Sequence, residues 1–189
     1  MAKAKGSTLD GAIRFLRLDR AGAEPLLPED LRHYLDDEIV ISSWYPESDL
    51  LGLIRTIVAM LPGDRDAVLE EMGRITVREH LQGAYAHLIE GGDSRNLSIR
   101  AQSLWASMHD SGKLKALEQE RGRIRLSLTG YALPSEELCA ITRGYMQGIL
   151  RLNGLDARVE TVQCAARGDA ACVWDMHWDA DAELPRGSV

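Results

Sequence analysis

Residues 139–178 read CAITRGYMQGILRLNGLDARVETVQCAARGDAACVWDMHW, and the change of period inside this stretch decides the fold. Leu138, Ile141, Tyr145, Ile149 and Leu152 recur at three- and four-residue intervals, the stripe of one helix face. Asn153-Gly154 stops that helix. The period then drops to two. Cys172, Trp174, Met176 and Trp178 fall on one side of a strand, Val173, Asp175, His177 and Asp179 on the other. Residues 157–164 supply a second strand, and AARGDAA between them carries a Gly-Asp turn. The stretch therefore predicts a helix followed by an antiparallel pair. Gly144 and Gly148 share one face of the helix, and each costs about 1 kcal/mol against alanine. Close approach to a sheet, a partner helix or a flat ligand would offset that cost.

Working outward, Ile124, Leu126 and Leu128 alternate with Arg123, Arg125 and Ser127, a half-buried strand paired with the segment before Glu120-Arg121-Gly122. The N-terminal half is helical in period. Helices are predicted from Leu9 to Leu18, from Pro28 to about Leu35, from residue 47 to 61, from 66 to about Glu90, and from about Leu97 towards Gly112. Ile39–Ile41 is a β-branched run that suits a short extended piece or a continuation of the preceding helix. The predicted class is α+β, an N-terminal helical layer packed on a C-terminal antiparallel sheet in the order β-β-α-β-β. Residues 9–179 form a single domain, with disordered tails at 1–8 and 180–189.

The chain has 189 residues, a net charge of -7 and a sequence pI of about 5.3. This balance argues against nucleic acid and anionic membranes as partners, since both attract basic surfaces. No apolar run approaches the ~18 residues of a membrane helix, so no membrane insertion is expected. The first residues lack the apolar core of a secretory signal. Three cysteines, an odd number, fit reduced thiols and a cytoplasmic protein.

Cys139, Cys164 and Cys172 all lie in the deciding stretch. Antiparallel pairing sets Cys164 opposite Cys172, and the helix start carrying Cys139 can pack close to their loop. Three thiolates with one further donor suit tetrahedral zinc. Core packing competes, because free cysteine is among the most buried residue types. His80 and His87, seven apart, share a helix face, and no C-x2-C-H attachment motif is present. His33, His109 and His177 form no cluster by spacing. No nucleophile elbow, phosphate loop or dinucleotide fingerprint appears.

Gly144-Tyr145-x2-Gly148, Val159-Glu160-x3-Cys164 and Gly168-Asp169-x2-Cys172-x-Trp174 together resemble the C-terminal signature of the 4-vinyl reductase-type domain. That superfamily also includes heme-NO-binding-like proteins and tethering subunits of TRAPP particles, and myxobacterial paralogues of unknown function look similar. The match covers Trp105 to Trp178; the N-terminal half agrees only in layout. The resemblance implies a sandwich that dimerises through N-terminal helices and holds a hydrophobic small molecule between helices and sheet. It also implies a zinc held by Cys139, Cys164, Cys172 and an acidic residue. The acidic position falls at Thr161, one place after Glu160, so Glu160 joins only through a bulge or register change. Heme-bearing relatives grip propionates with a Tyr-x-Ser-x-Arg element that is not found here, so heme is not expected.

The function expected from these readings is a non-catalytic sensor or adaptor. Its pocket would draw on Met72, Ile75, Trp105, Ile124, Tyr145, Ile149 and Trp174, and it would signal through a homodimer or another signalling or scaffold protein. The alternative is a tethering protein with a closed core, whose dimer helices would be 47–61 and 66–90. A cavity of ~300 Å3 or more separates the two. An enzyme is the third class, and no catalytic constellation supports it.

Overall fold

A computed structural model describes residues 2–83, 85–89 and 96–180 of the chain. It has the expected α+β architecture. A short strand β1 (Lys3–Lys5) leads into α1 (Gly6–Leu18) and α2 (Arg20–Ala23), then a 3-10 turn at Glu29–Leu35. Strand β2 (Trp44–Pro46) precedes α3 (Glu47–Met60), α4 (Arg65–Leu81), α5 (Ala86–Ile89) and α6 (Leu97–Met108). The sheet follows: β3 (Lys113–Glu120), β4 (Arg123–Thr129), then α7 (Glu136–Leu152), β5 (Ala157–Gln163) and β6 (Cys172–Trp178).

The four C-terminal strands form one antiparallel sheet in the order β3-β4-β6-β5. Their alternation has the predicted consequence. Ile124, Leu126, Leu128, Cys172, Trp174 and Met176 turn to one side and bury under Met146 and Leu150 of α7. The opposite side is ionic. Asp175 there is buried and accepts two hydrogen bonds from Arg123 (3.0 and 2.8 Å) and one from Arg125 (2.6 Å). The Arg123 contact is bidentate, the strongest geometry for such a pair. Among the described residues a second apolar core lies between α1, the 3-10 turn, α3 and α4, with Leu9, Ile13, Leu16, Leu53, Leu69 and Leu138 at its centre.

Helices α4 and α7 cross at close range, and the glycines explain how. A side chain at Gly144 would collide with the backbone of Glu70, and one at Gly148 with Val77. Gly73 reciprocates, lying against the Ile141 carbonyl and the Tyr145 amide. The offset for the glycine cost is thus a partner helix of the same chain.

Four local readings need correction. Residues 3–8, assigned to a tail, form β1 and the start of α1; β1 pairs with β2 and its Lys3 amide donates to Asp110. Residues 39–41 form no strand: Val40 and Ile41 stay exposed in a turn against Gly6. The 28–35 helix is 3-10 throughout, too short to bury a full α-helical face. The helix expected to reach Glu90 stops at Leu81, where Gln82 bonds back to Glu79 and His80. Residues 90–95 and 181–189 lie outside the described residues, as do the expected stop at Gly91-Gly92 and most of the C-terminal tail.

Candidate ligand cavity and thiol cluster

A cavity of about 500 Å3 opens between the helices. Its walls come from α1 (Ala12, Phe15), α3 (Ile54, Ile57), α4 (Met72, Ile75), α6 (Leu104, Trp105, Met108) and α7 (Ile141, Tyr145, Ile149). Met72, Ile75, Trp105, Tyr145 and Ile149 therefore line one space. Ile124 and Trp174 do not. They are 2% and 1% exposed and belong to the core beneath α7. The reason is geometric: α7 covers the apolar side of the sheet, so the cavity lies among helices and, among the described residues, the sheet contributes only Leu114.

Polar groups on the wall are mostly satisfied within the protein. The Tyr145 hydroxyl meets His80 Nδ1 at 2.9 Å, and His80 Nε2 faces the Ser7 carbonyl at 3.4 Å. Burial lowers the His80 pKa and raises that of Tyr145, so both rings stay neutral near pH 7. The hydroxyls of Thr8, Thr76 and Thr142 donate to carbonyls of their own helices or caps. Trp105 Nε1 donates to the Ser111 carbonyl at 3.0 Å. At the exposed mouth Arg14 pairs with Asp10 and Glu79.

One cluster was invisible in the sequence. Glu47 is completely buried, and its Oε1 accepts from His109 Nδ1 and from the Tyr131 hydroxyl, both at 2.5 Å. Burial, then the Glu47 charge and hydrogen bond, hold the Tyr131 pKa far above its ordinary value. His109 stacks on Trp105 with centroids 4.1 Å apart, and Tyr131 meets both rings edge-on. The local chain path is set by Gly112, whose φ of +83° turns α6 into β3 beneath Trp105 and Tyr131. Both His109 and Tyr131 line the cavity. Nothing in the local pattern around Glu47 separates it from an ordinary acidic residue in a helix first turn.

The three cysteines converge. Their sulfurs lie within 4.8 Å of one another and all three residues are buried. The Ala165 amide donates to Cys172 Sγ at 3.4 Å. Cys139 donates to Cys172, which lowers the Cys172 pKa and, with burial, raises that of Cys139. A register shift between Thr161 and Gln163 turns Cys164 to the side that Thr161 faces. Thr161 Oγ1 stands 3.9 Å from Cys139 Sγ. Glu160 registers instead with Asp175 and pairs with Arg158 at 2.5 Å, so it does not complete a fourth position. The donor set is three thiols, of the soft class that binds soft metal ions.

No protein-family model and no curated protein matches the sequence. Solved structures do. An H-NOX protein from S. oneidensis in the Fe(II)NO ligation state superposes with a TM-score of 0.69 at 14% identity, covering 93% of this chain and 99% of that one. An oxygen-binding H-NOX domain related to soluble guanylate cyclases gives 0.67 at 12% identity, covering 93% and 95%. A structure probing heme distortion in the H-NOX family gives 0.69 at 12%, covering 98% and 100%. The chain therefore has the H-NOX, heme-NO-binding type of fold. The 4-vinyl reductase and TRAPP branches of the resemblance gain no such support.

These structures correct the cofactor expectation. The expectation of no heme rests on the missing Tyr-x-Ser-x-Arg element; at Tyr131 the chain reads Tyr-Ala-Leu-Pro-Ser. Yet domains of this same fold house heme, so the missing motif does not exclude it. Zinc gains no support from them, and the expected fourth ligand is turned away. Two features of the cavity fit a heme: apolar walls and an imidazole held at Nδ1 by a carboxylate; Arg14 at the mouth is already paired with Asp10 and Glu79.

Proposed function

We propose that the chain is a non-catalytic sensor or adaptor module that holds a small hydrophobic molecule in the interhelical cavity. The observation that carries this reading is the cavity itself, about 500 Å3 with walls drawn from five helices. That volume falls in the ~300–1,000 Å3 range of small-molecule sites. A closed-core tethering protein would fill the space with side chains. Because α1, α3, α4, α6 and α7 all touch the cavity, occupancy favours one arrangement of these helices over another. The bound state is then passed on through their outer faces, to a second copy of the chain or to another signalling or scaffold protein.

Heme is the first molecule to try, because similar structures carry it. His109 would hold the iron through Nε2, with Glu47 fixing its tautomer. Bound heme would supply an iron site for a diatomic gas, as in the Fe(II)NO and oxygen complexes of the H-NOX proteins.

The test is native mass spectrometry of protein purified from its own source, with hemin titration followed by absorbance. The expected result is one small molecule retained per chain, or a saturable one-to-one hemin complex whose spectrum shifts in His109→Leu. Protein that is always bare, takes up no hemin and binds no uncharged hydrophobic dye would refute the reading.

A further inference from the structure

We infer that, where the cavity holds an organic molecule other than heme, His109 Nε2 is its polar anchor and selects, within the hydrophobic class proposed above, neutral ligands bearing a hydroxyl group. Of the polar side chains on the inner wall, Thr8, Thr76 and Thr142 have spent their hydroxyl hydrogens on backbone carbonyls. Tyr131 donates to Glu47, Trp105 to Ser111, and His80 is engaged at both ring nitrogens by Tyr145 and Ser7. Arg14, Glu71 and Glu79 are paired with other side chains at the exposed mouth. His109 is different. Its Nδ1 is fixed on Glu47, and among the described residues nothing bonds its Nε2.

The chemistry at Nε2 follows from Glu47. A carboxylate at Nδ1 holds the proton there, so neutral His109 presents a bare lone pair at Nε2. A hydroxyl donates to that lone pair. A carboxylate head would instead bring a second negative charge beside buried Glu47, whose Oε2 has no partner among the described residues. A ligand with no polar group would leave Nε2 unpaired in an apolar space. Trp105, stacked on His109, and Tyr131, edge-on to it, make the anchor's surroundings aromatic. Phenols and other aromatic alcohols match both features.

This inference rests on the cavity-binding reading, and the test separates the two. Affinities for 2-naphthol, 2-methylnaphthalene and 2-naphthoate are measured by calorimetry at pH 7. The expected order places 2-naphthol about 10-fold tighter than 2-methylnaphthalene, with 2-naphthoate weakest; one buried hydrogen bond is worth about that ratio. In His109→Phe the preference for 2-naphthol disappears while 2-methylnaphthalene still binds. The double variant Glu47→Leu with His109→Phe removes the buried carboxylate along with its partner and shows the same loss. Equal wild-type affinities for 2-naphthol and 2-methylnaphthalene, or a preference that survives in either variant, overturn the anchor while leaving cavity binding in place. Failure of all three probes to bind overturns the anchor, and refusal of hemin as well overturns cavity binding.

Discussion

Replacing Gly144 with alanine is the sharpest probe of the α4–α7 crossing. In most helices this change gains about 1 kcal/mol, because alanine is the better helix former. Here the added Cβ would run into the backbone carbonyl, carbonyl carbon and Cα of Glu70. Backbone cannot swing aside as a side-chain tip can, so the two helices must separate. Overpacking of this kind costs about 1–3 kcal/mol, and a backbone obstacle belongs at the upper end. Subtracting the propensity gain leaves a net loss of about 1–2 kcal/mol. Gly83→Ala is the control, since its Cβ would meet only ordinary contacts with the Glu79 and His80 carbonyls. That variant should be neutral or slightly stabilised. Urea unfolding at 25 °C reads both, with the slope expected to stay constant and the midpoint to move. Because α4 supplies Met72 and Ile75 to the cavity and α7 supplies Tyr145 and Ile149, Gly144→Ala should also weaken ligand binding. A Gly144→Ala protein as stable as the wild type would refute the close crossing.

Asp175→Asn should cost about 2 kcal/mol at pH 7, since it removes the negative charge and one of the two oxygens that accept from Arg123 and Arg125. Those arginines hold the Asp175 pKa well below the usual carboxylate range. Its contribution is therefore full above the unfolded value of about 3.9 and is lost as pH falls through the lower folded value. Acid titration of stability should show a shallower fall in the variant than in the wild type, and identical acid limbs would contradict the assignment. Tyr145→Phe leaves His80 Nδ1 without its partner in a buried site and should cost about 1–2 kcal/mol in the same urea assay. A neutral result would mean that the hydroxyl contributes nothing to packing α4 on α7.

Period-two alternation made the sheet legible. Ile124, Leu126 and Leu128 or Cys172, Trp174 and Met176 cannot bury together in any other backbone, and α7 announced itself by its stripe. Residues 39–41 misled because β-branching favours strands only where a partner edge is present. Lys3–Lys5 was missed because three residues carry too little pattern to separate a strand from a tail. Five of the seven chosen cavity residues lie on helix stripes that face one another across the space. Ile124 and Trp174 do not, because α7 fills the space over the sheet and leaves them in the core beneath it. The Glu47–His109–Tyr131 cluster joins positions 62 and 84 residues apart, and only tertiary packing brings them together. The thiols, confined to one supersecondary unit, were the opposite case: their convergence could be read from the turn between β5 and β6. The shift after Thr161 that excludes Glu160 could not.

The central claim, a ligand-sized space among the helices, is tested most directly by titrating an uncharged naphthylamine dye into wild-type protein and into Met72→Trp. The larger ring should occupy the cavity where methionine only lines it. The account predicts saturable one-to-one binding to the wild type and at least about 10-fold weaker binding to the variant, with folding retained. Equal affinity in the two proteins, or no binding by either, would contradict it.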